Sequence, residues 1–320
     1  MNANPDNSGQ LLDPRVAEAN AILVGGQGRL PDPVQAAALY RDAMAAGSGA
    51  AAERLAVMAA AGVARPPSWA EALDRLADAA ELGLVGAQGQ LATLAGGADR
   101  NWREIRKQID IKALLKPPNL ERVKDQPAIA LIGGLATKAM CDWIIQRSTG
   151  RVERARIGDY ASGKGVEDQI RTGGATGYGL AETDLVLVLT QERLARASGL
   201  LVGQQEAPFV LSYLPGQEYK PHFDFFSPEV PSYARQLAVM GQRVATCLTW
   251  LNEDYEGGET AFPRIDWKHR GRIGDAMLFL NVTTPDRQPD PLTLHAGLPV
   301  TSGRKWMLSQ WVRDRPQAIV

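Results

Sequence analysis

Pro221-His222-Phe223-Asp224-Phe225-Phe226 sets a histidine and a carboxylate two residues apart inside an apolar run. Side chains alternate faces along a strand, so a strand over 219–225 points His222 and Asp224 one way. Phe223 and Phe225 then point the other way, into the sheet wall. Two such ligands and one further histidine make a metal site that leaves coordination positions open. The chain holds three histidines in all, His222, His269 and His295. His295 lies 73 residues beyond His222, in the strand-like run Leu292-Thr293-Leu294-His295-Ala296. An antiparallel fold can return such a strand beside the first and bring His222, Asp224 and His295 to one mouth. Two imidazoles and a carboxylate suit iron or zinc alike. His269, in the charged run Asp266-Trp267-Lys268-His269-Arg270, reads as a solvated loop residue.

From residue 207 onward the texture is β. Strands are expected over 209–214, 219–225, 244–251, 259–262, 276–281, 292–296 and 305–313. Turn signals separate them at Pro215-Gly216, Glu256-Gly257-Gly258, Arg272-Ile273-Gly274-Asp275 and Ser302-Gly303. Short strands in this number predict an antiparallel double-stranded jelly roll. Lys305 opens the last strand and shares a face with Met307, Ser309 and Trp311. On an inward apolar face a lysine is costly unless it meets an anion. A strand-end lysine reaching solvent is the plainer alternative. Trp250, Trp306 and Trp311 read as core, and Glu256 and Glu259 as turn residues. Arg243 and Arg313 either reach a substrate or close surface ion pairs.

Tyr213-Leu214-Pro215-Gly216-Gln217-Glu218-Tyr219-Lys220-Pro221-His222-Phe223-Asp224 resembles the first metal motif of the prolyl 4-hydroxylase family. Gly241-Gln242-Arg243-Val244-Ala245-Thr246, followed by Glu256-Gly257-Gly258-Glu259-Thr260-Ala261-Phe262-Pro263, is similar to that family's central strands. Gly274-Asp275-Ala276-Met277-Leu278-Phe279, Leu294-His295-Ala296-Gly297-Leu298-Pro299-Val300 and Lys305-Trp306 follow in the family's order, and Arg171-Thr172 matches its Arg-Thr-Ser. The resemblance covers residues 127–315. It implies an Fe(II)- and 2-oxoglutarate-dependent dioxygenase that uses O2 and releases succinate and CO2, with ascorbate a further candidate cofactor. By matching positions, His222, Asp224 and His295 bind Fe(II) and act in catalysis. Lys305 pairs with the distal carboxylate of 2-oxoglutarate, and Tyr213 and Thr246 donate hydroxyls to it. Gly173 stands where the family has Ser and Leu298 where Cys is common; Gly173 lies in a region that shapes the substrate channel. Arg171, Arg243 and Arg313 are the candidate substrate residues.

Upstream, 127–133 is a strand candidate, 135–148 a helix and 158–179 a loop. Leu185 to Leu189 reads as helix, with Thr183 as its cap and Gly199 as its stop. Residues 99–126 form a charged linker ending in Lys116-Pro117-Pro118-Asn119. Residues 11–98 are rich in Ala, Leu and Gly, a helical bias. Ala36, Ala43, Gly47, Ala51, Leu55 and Ala56 recur 36 residues later as Ala72, Ala79, Gly83, Ala87, Leu91 and Ala92. Arg65-Pro66-Pro67 stops one helix and Ser68 caps the next; Leu30-Pro31-Asp32-Pro33 plays the same part earlier, and 16–24 resembles half of a preceding unit. These spacings resemble Sel1-like repeats, relatives of the tetratricopeptide repeat. Residues 1–10 read as a disordered tail.

The expected fold class is therefore α+β: helical repeats (11–98), a linker (99–126), then a jelly-roll oxygenase domain with flanking helices (127–320). A net charge of −1 over 320 residues argues against a nucleic-acid partner. No apolar run reaches the roughly 18 residues of a membrane span, and no signal peptide is visible, so a cytoplasmic protein is expected. Cys141 and Cys247 sit in apolar contexts and read as structural thiols. The expected reaction is hydroxylation of a prolyl residue in a peptide or protein substrate, with the repeats open to a protein partner. Hydroxylation of a free amino acid or small metabolite is the alternative, followed by a non-catalytic metal-binding interaction protein.

Overall fold

A computed structural model describes residues 13–26, 28–97, 101–154, 156–158, 165–167 and 170–317. The expected tail, residues 1–10, lies outside them. In chain order the helices are α1 (Pro14–Val24), α2 (Pro33–Ala45), α3 (Gly49–Ala61), α4 (Trp69–Glu81), α5 (Val85–Ala95), α6 (Trp102–Gln108), α7 (Ile111–Leu114), α8 (Lys138–Ser148), α9 (Leu185–Ser198) and α10 (Ala234–Met240). The strands are β1 (Leu120–Lys124), β2 (Ile129–Ile132), β3 (Glu153–Arg154), β4 (Arg156–Gly158), β5 (Gly165–Glu167), β6 (Gly174–Gly177), β7 (Phe209–Tyr213) and β8 (Tyr219–His222). They continue with β9 (Arg243–Trp250), β10 (Tyr255–Gly257), β11 (Thr260–Phe262), β12 (Trp267–His269), β13 (Ala276–Leu280), β14 (His295–Gly297), β15 (Val300–Gly303) and β16 (Lys305–Arg313). The chain divides into a helical unit, reaching Lys116 and taking in Tyr178–Glu192, and a sheet-rich unit of Pro117–Gly177 and Arg193–Gln317.

In the helical unit the 36-residue spacing corresponds to a helix pair, α2 with α3 and then α4 with α5. Ser48 and Ser68 accept from the backbone N–H groups of Ala51 and Glu71, closing the first turns of α3 and α4. Gly47 and Gly83 hold the matching intra-pair turns at φ 95° and 88°, a region where a Cβ is strained. Ala36, Ala43 and Ala51 are fully buried, as are their counterparts Ala72, Ala79 and Ala87, so the small residues stand at helix contacts. Tyr178–Glu192 belongs to this unit through buried polar bonds. Arg54 donates to the carbonyl of Thr183 (2.7 Å), and Gln90 Oε1 accepts from the backbone N–H of Leu185 (3.0 Å). The expected helix from Leu185 is α9, and Gly199 (φ 75°) ends it. Its cap is Asp184, which accepts from Leu187 N–H at 2.9 Å, rather than Thr183.

In the other unit, an eight-stranded antiparallel sheet runs β1-β2-β13-β9-β16-β7-β6-β3, and a four-stranded sheet runs β12-β11-β14-β8. One apolar cluster draws on both, joining Leu211, Leu248, Trp250, Met277, Phe279 and Met307 of the large sheet to Phe262 of the small one. Period-2 alternation explains the division of labour. In β9, Thr246, Leu248 and Trp250 face this cluster side, while Ala245 and Cys247 pack with Ala276, Leu278 and Val312 on the opposite face. Cys141 and Cys247 are buried and unpaired, and burial pushes both thiols up to about 12, as expected of structural residues. Trp250, Trp306 and Trp311 are buried. Among the described residues no helix is long and apolar enough to cross a membrane.

Several boundaries differ from expectation. The span 99–126 is not a plain linker: it holds α6, α7 and β1, with Asn101 and Asp110 capping the two helices. The span 158–179 contributes β6 to the large sheet. The 292–296 strand is instead a 3-10 turn, Pro291–Thr293, followed by β14 beginning at His295; Pro291 favours the turn. The strand over 219–225 stops at His222. Phe223 and Phe225 therefore do not anchor a strand in the wall; half-buried, they pack on each other with ring centroids 4.6 Å apart. His269 is no loop residue: it ends β12, stacked on Trp267 at 5.7 Å and edge-on to Trp250, and burial lowers its pKa.

Candidate metal centre

β8 and β14 pair antiparallel with His222 directly opposite His295. The bend after His222 brings Asp224 to the same point. One ligand atom from each of His222, Asp224 and His295 can be chosen so that all lie within 4.8 Å of one another. Asp224 Oδ1 is 3.8 Å from His222 Nε2, and Oδ2 is 3.5 Å from His295 Nε2. Each imidazole is oriented by its own segment: His222 Nδ1 meets the Lys220 carbonyl at 2.8 Å, and His295 Nδ1 meets that of Thr293 at 2.9 Å. A carbonyl only accepts, so both Nδ1 atoms carry the proton and both Nε2 lone pairs face the carboxylate. Tyr219 stacks on the His222 ring at 3.5 Å, and Phe279 meets the His295 ring at 4.8 Å, near edge-on.

Charge at the centre favours ligation. Burial, then the adjacent His295, holds His222 down to about 3, so its Nε2 stays unprotonated. Burial opposes ionisation of Asp224. The His295 and His222 imidazoles, the Arg243 guanidinium and a hydrogen bond from Thr246 outweigh it and hold its pKa below the ordinary value. Two imidazoles and one carboxylate, each oriented by the bonds above, are a donor set that fits a divalent transition metal with positions left over.

A cleft of about 430 Å3, counting the space at its open mouth, adjoins the three ligands. Lys305, Met307, Ser309 and Trp311 line it together, the face expected of β16, as do Tyr213 and Arg171. Lys305 is 2% exposed, and its Nζ donates to the Gly258 carbonyl at 2.6 Å. Among the described residues it closes no ion pair, and burial pushes its pKa down to about 7. A buried amine with no anion of its own, lining the same cleft as His222, Asp224 and His295, fits an anionic ligand. Tyr213 stands opposite Lys305 in the β7–β16 register, with its ring centroid 5.7 Å from Nζ. A Cβ built on Gly173 would fall 2.5 Å from the Tyr213 ring, so this glycine makes room for the tyrosine.

Other expected residues stand elsewhere. The Thr246 hydroxyl has one proton and gives it to Asp224 Oδ2 at 2.7 Å, so it supports a ligand rather than facing the cleft as a cosubstrate donor. Neither Arg243 nor Arg313 closes a surface pair or lines the cleft. Arg243 Nε (2.6 Å) and Arg313 Nε (2.5 Å) both donate to Glu206 Oε1 in the interior. Arg243 also lies 3.9 Å from the Trp311 ring centroid. Of the three arginines, Arg171 alone lines the cleft, 5.2 Å from the Tyr219 ring. Two residues were missed. Glu206 carries no local signal, since its partners lie 37 and 107 positions away. Asn281 donates from Nδ2 to Thr246 Oγ1 at 3.0 Å; strand parity with Phe279, two positions earlier, was the signal that could have found it.

Fold and site together set a His-x-Asp…His donor group, of the kind that holds a divalent transition metal, beside an open cleft. Residues 208–313 match the family model described as the 2OG-Fe(II) oxygenase superfamily. Prolyl 4-hydroxylase 1 of Arabidopsis thaliana is 31% identical over 263 residues, 76% of this chain and 89% of that protein. Prolyl 4-hydroxylase 2 of the same plant is 28% identical over 221 residues, 62% of this chain and 72% of that one. Among solved structures, the viral collagen prolyl hydroxylase vCPH from Paramecium Bursaria Chlorella virus-1, in its 2OG complex, is 27% identical with a TM-score of 0.44, covering 57% of this chain and 94% of that one. The chain belongs to the prolyl 4-hydroxylase family of 2-oxoglutarate- and Fe(II)-dependent dioxygenases.

Proposed function

We propose that the chain hydroxylates prolyl residues in a peptide or protein, with Fe(II) held by His222, Asp224 and His295 and 2-oxoglutarate anchored on Lys305. The observation that carries this is the paired site: a convergent His-Asp-His set and, in the same cleft, a buried lysine with no anion of its own. When bound, the iron supplies O2 activation coupled to decarboxylation of 2-oxoglutarate, one oxygen atom passing to succinate and the other to the substrate C–H bond. The protein's own contributions are positional. Lys220 and Thr293 carbonyls fix the imidazole tautomers, Thr246 holds the carboxylate, and the Lys305 ammonium orients the cosubstrate with Tyr213 beside it. The apolar part of the cleft, with Leu211, Tyr219, Leu248, Met307 and Trp311, suits a saturated ring. Arg171 at the same cleft is the residue we assign to the substrate.

The names of the relatives support a prolyl substrate. We also read the sheet-rich unit as a double-stranded β-helix, supported by the core its two sheets share, and α2–α5 as two Sel1-like units, supported by the matched glycine turns. The test offers proline-containing peptides and free amino acids to the enzyme with Fe(II), 2-oxoglutarate and O2, and reads gain of one oxygen atom by mass spectrometry. Oxygen on the peptide is expected. Oxygen on a free amino acid alone contradicts the peptide reading.

A further inference from the structure

We propose that Asn281 is a positioning residue for the metal ligand Asp224, acting through the Thr246 hydroxyl. The proposal rests on the reading that His222, Asp224 and His295 hold the metal. Asn281 follows the end of β13 and is fully buried. Its Nδ2 lies 3.0 Å from Thr246 Oγ1, which lies 2.7 Å from Asp224 Oδ2. The proton order in this chain has a single solution. An ionised carboxylate only accepts, so Thr246 donates to Asp224. The hydroxyl then has no proton for Asn281, so its oxygen accepts, and the amide must present its NH2 group.

The cost of that orientation is visible. Asn281 Oδ1 is a buried acceptor with no hydrogen-bond partner among the described residues. Turning the amide over would offer the same atom an acceptor where it needs a donor. The amide is therefore held in one sense by the carboxylate two bonds away. Left alone, a threonine hydroxyl swings among staggered positions; with its lone pair engaged by Asn281, it keeps its proton on Oδ2. Oδ1, which lies 3.8 Å from His222 Nε2, is left free of this bond for the metal. The relay thus selects one carboxylate oxygen and fixes its lone-pair direction.

The experiment titrates Co(II) alone into the metal-free full-length chain and follows its visible absorption bands. Asn281→Leu has nearly the same shape and removes the orphan acceptor along with the donor, so it is expected to fold. It should weaken Co(II) binding by roughly 10-fold or more and alter the band pattern, the size seen when outer partners of metal ligands are lost. Thr246→Val should weaken binding at least as much, and Thr246→Ser should restore it. The double variant Thr246→Val/Asn281→Leu should bind no more weakly than Thr246→Val, because Asn281 acts only through that hydroxyl. Wild-type affinity in Asn281→Leu, or additive losses in the double variant, overturns the proposal. If Asn281→Leu does not fold, Asn281→Ala is read by the same titration and the same criteria. His295→Ala separates the two ideas: if it too binds Co(II) as the wild type does, the metal-site reading fails, whereas its loss alongside an unaffected Asn281→Leu sinks the relay alone.

Discussion

At Lys305, burial and charge pull in opposite directions, and the balance predicts a pH effect. The amine sits at about 7 in the folded chain against 10.5 for a free lysine. The ammonium is the form that pairs with a carboxylate, so as pH rises through 7 the empty site loses its proton and the KM for 2-oxoglutarate should climb, measured in initial-rate assays at saturating iron. Stability should move the other way. Between about 7 and 10.5 the unfolded chain holds a proton that the folded chain does not, so this residue's contribution to the empty protein improves as pH rises through that window and is worst below 7. Lys305→Ala removes a charge-assisted bond of about 1.5–3 kcal/mol, a rise of roughly 10- to 100-fold in 2-oxoglutarate KM. The iron requirement should move far less, and equal changes in both would count against the assignment. Gly173 is the second test at this scale. Gly173→Ala puts a methyl against the Tyr213 ring, and displacing that ring should raise the 2-oxoglutarate KM roughly 10-fold, about 1.4 kcal/mol, with Co(II) affinity unchanged. The Lys305 face of β16 was legible because two-residue spacing on a strand fixes direction, whereas Asp224 joins His222 and His295 from the bend beyond β8 and not by strand alternation. Thr246 was misjudged because sequence shows a hydroxyl but not where its one proton goes.

At the scale of elements, the long strands β7, β9, β13 and β16 were readable from apolar runs and turn residues, whereas the short β6, β10, β12 and β15 and several strand ends were not. β16 spans the residues expected of it, yet the strand carrying His222 stops before Asp224 because the chain bends there to bring the carboxylate under both imidazoles. The Glu206 cluster shows what local pattern cannot reveal. One carboxylate ahead of β7 ties the start of β9 to the end of β16 through two arginines. Arg243 and Arg313 hold its pKa low against the effect of burial. Glu206→Gln should leave two buried guanidinium groups without an anion, at about 3–5 kcal/mol, seen as a lowered midpoint in urea unfolding of the metal-free chain. A change within experimental error would mean that the arginines find water instead.

At the scale of the molecule, the 36-residue recurrence exposed the helix pairs, but not that Tyr178–Glu192, more than 80 residues after α5, belongs with them. The bonds that place it there run from Arg54 and Gln90 to backbone atoms, and backbone atoms leave no mark in a sequence. The order of motifs from Tyr213 to Lys305 did reveal the family. The central claim is that His222, Asp224 and His295 carry an Fe(II)-dependent turnover of 2-oxoglutarate. Succinate release under Fe(II) and O2, compared between the wild-type chain and His295→Ala, tests it most directly. Succinate should form with the wild type and fall to the enzyme-free background in His295→Ala; equal release from both proteins would contradict the account.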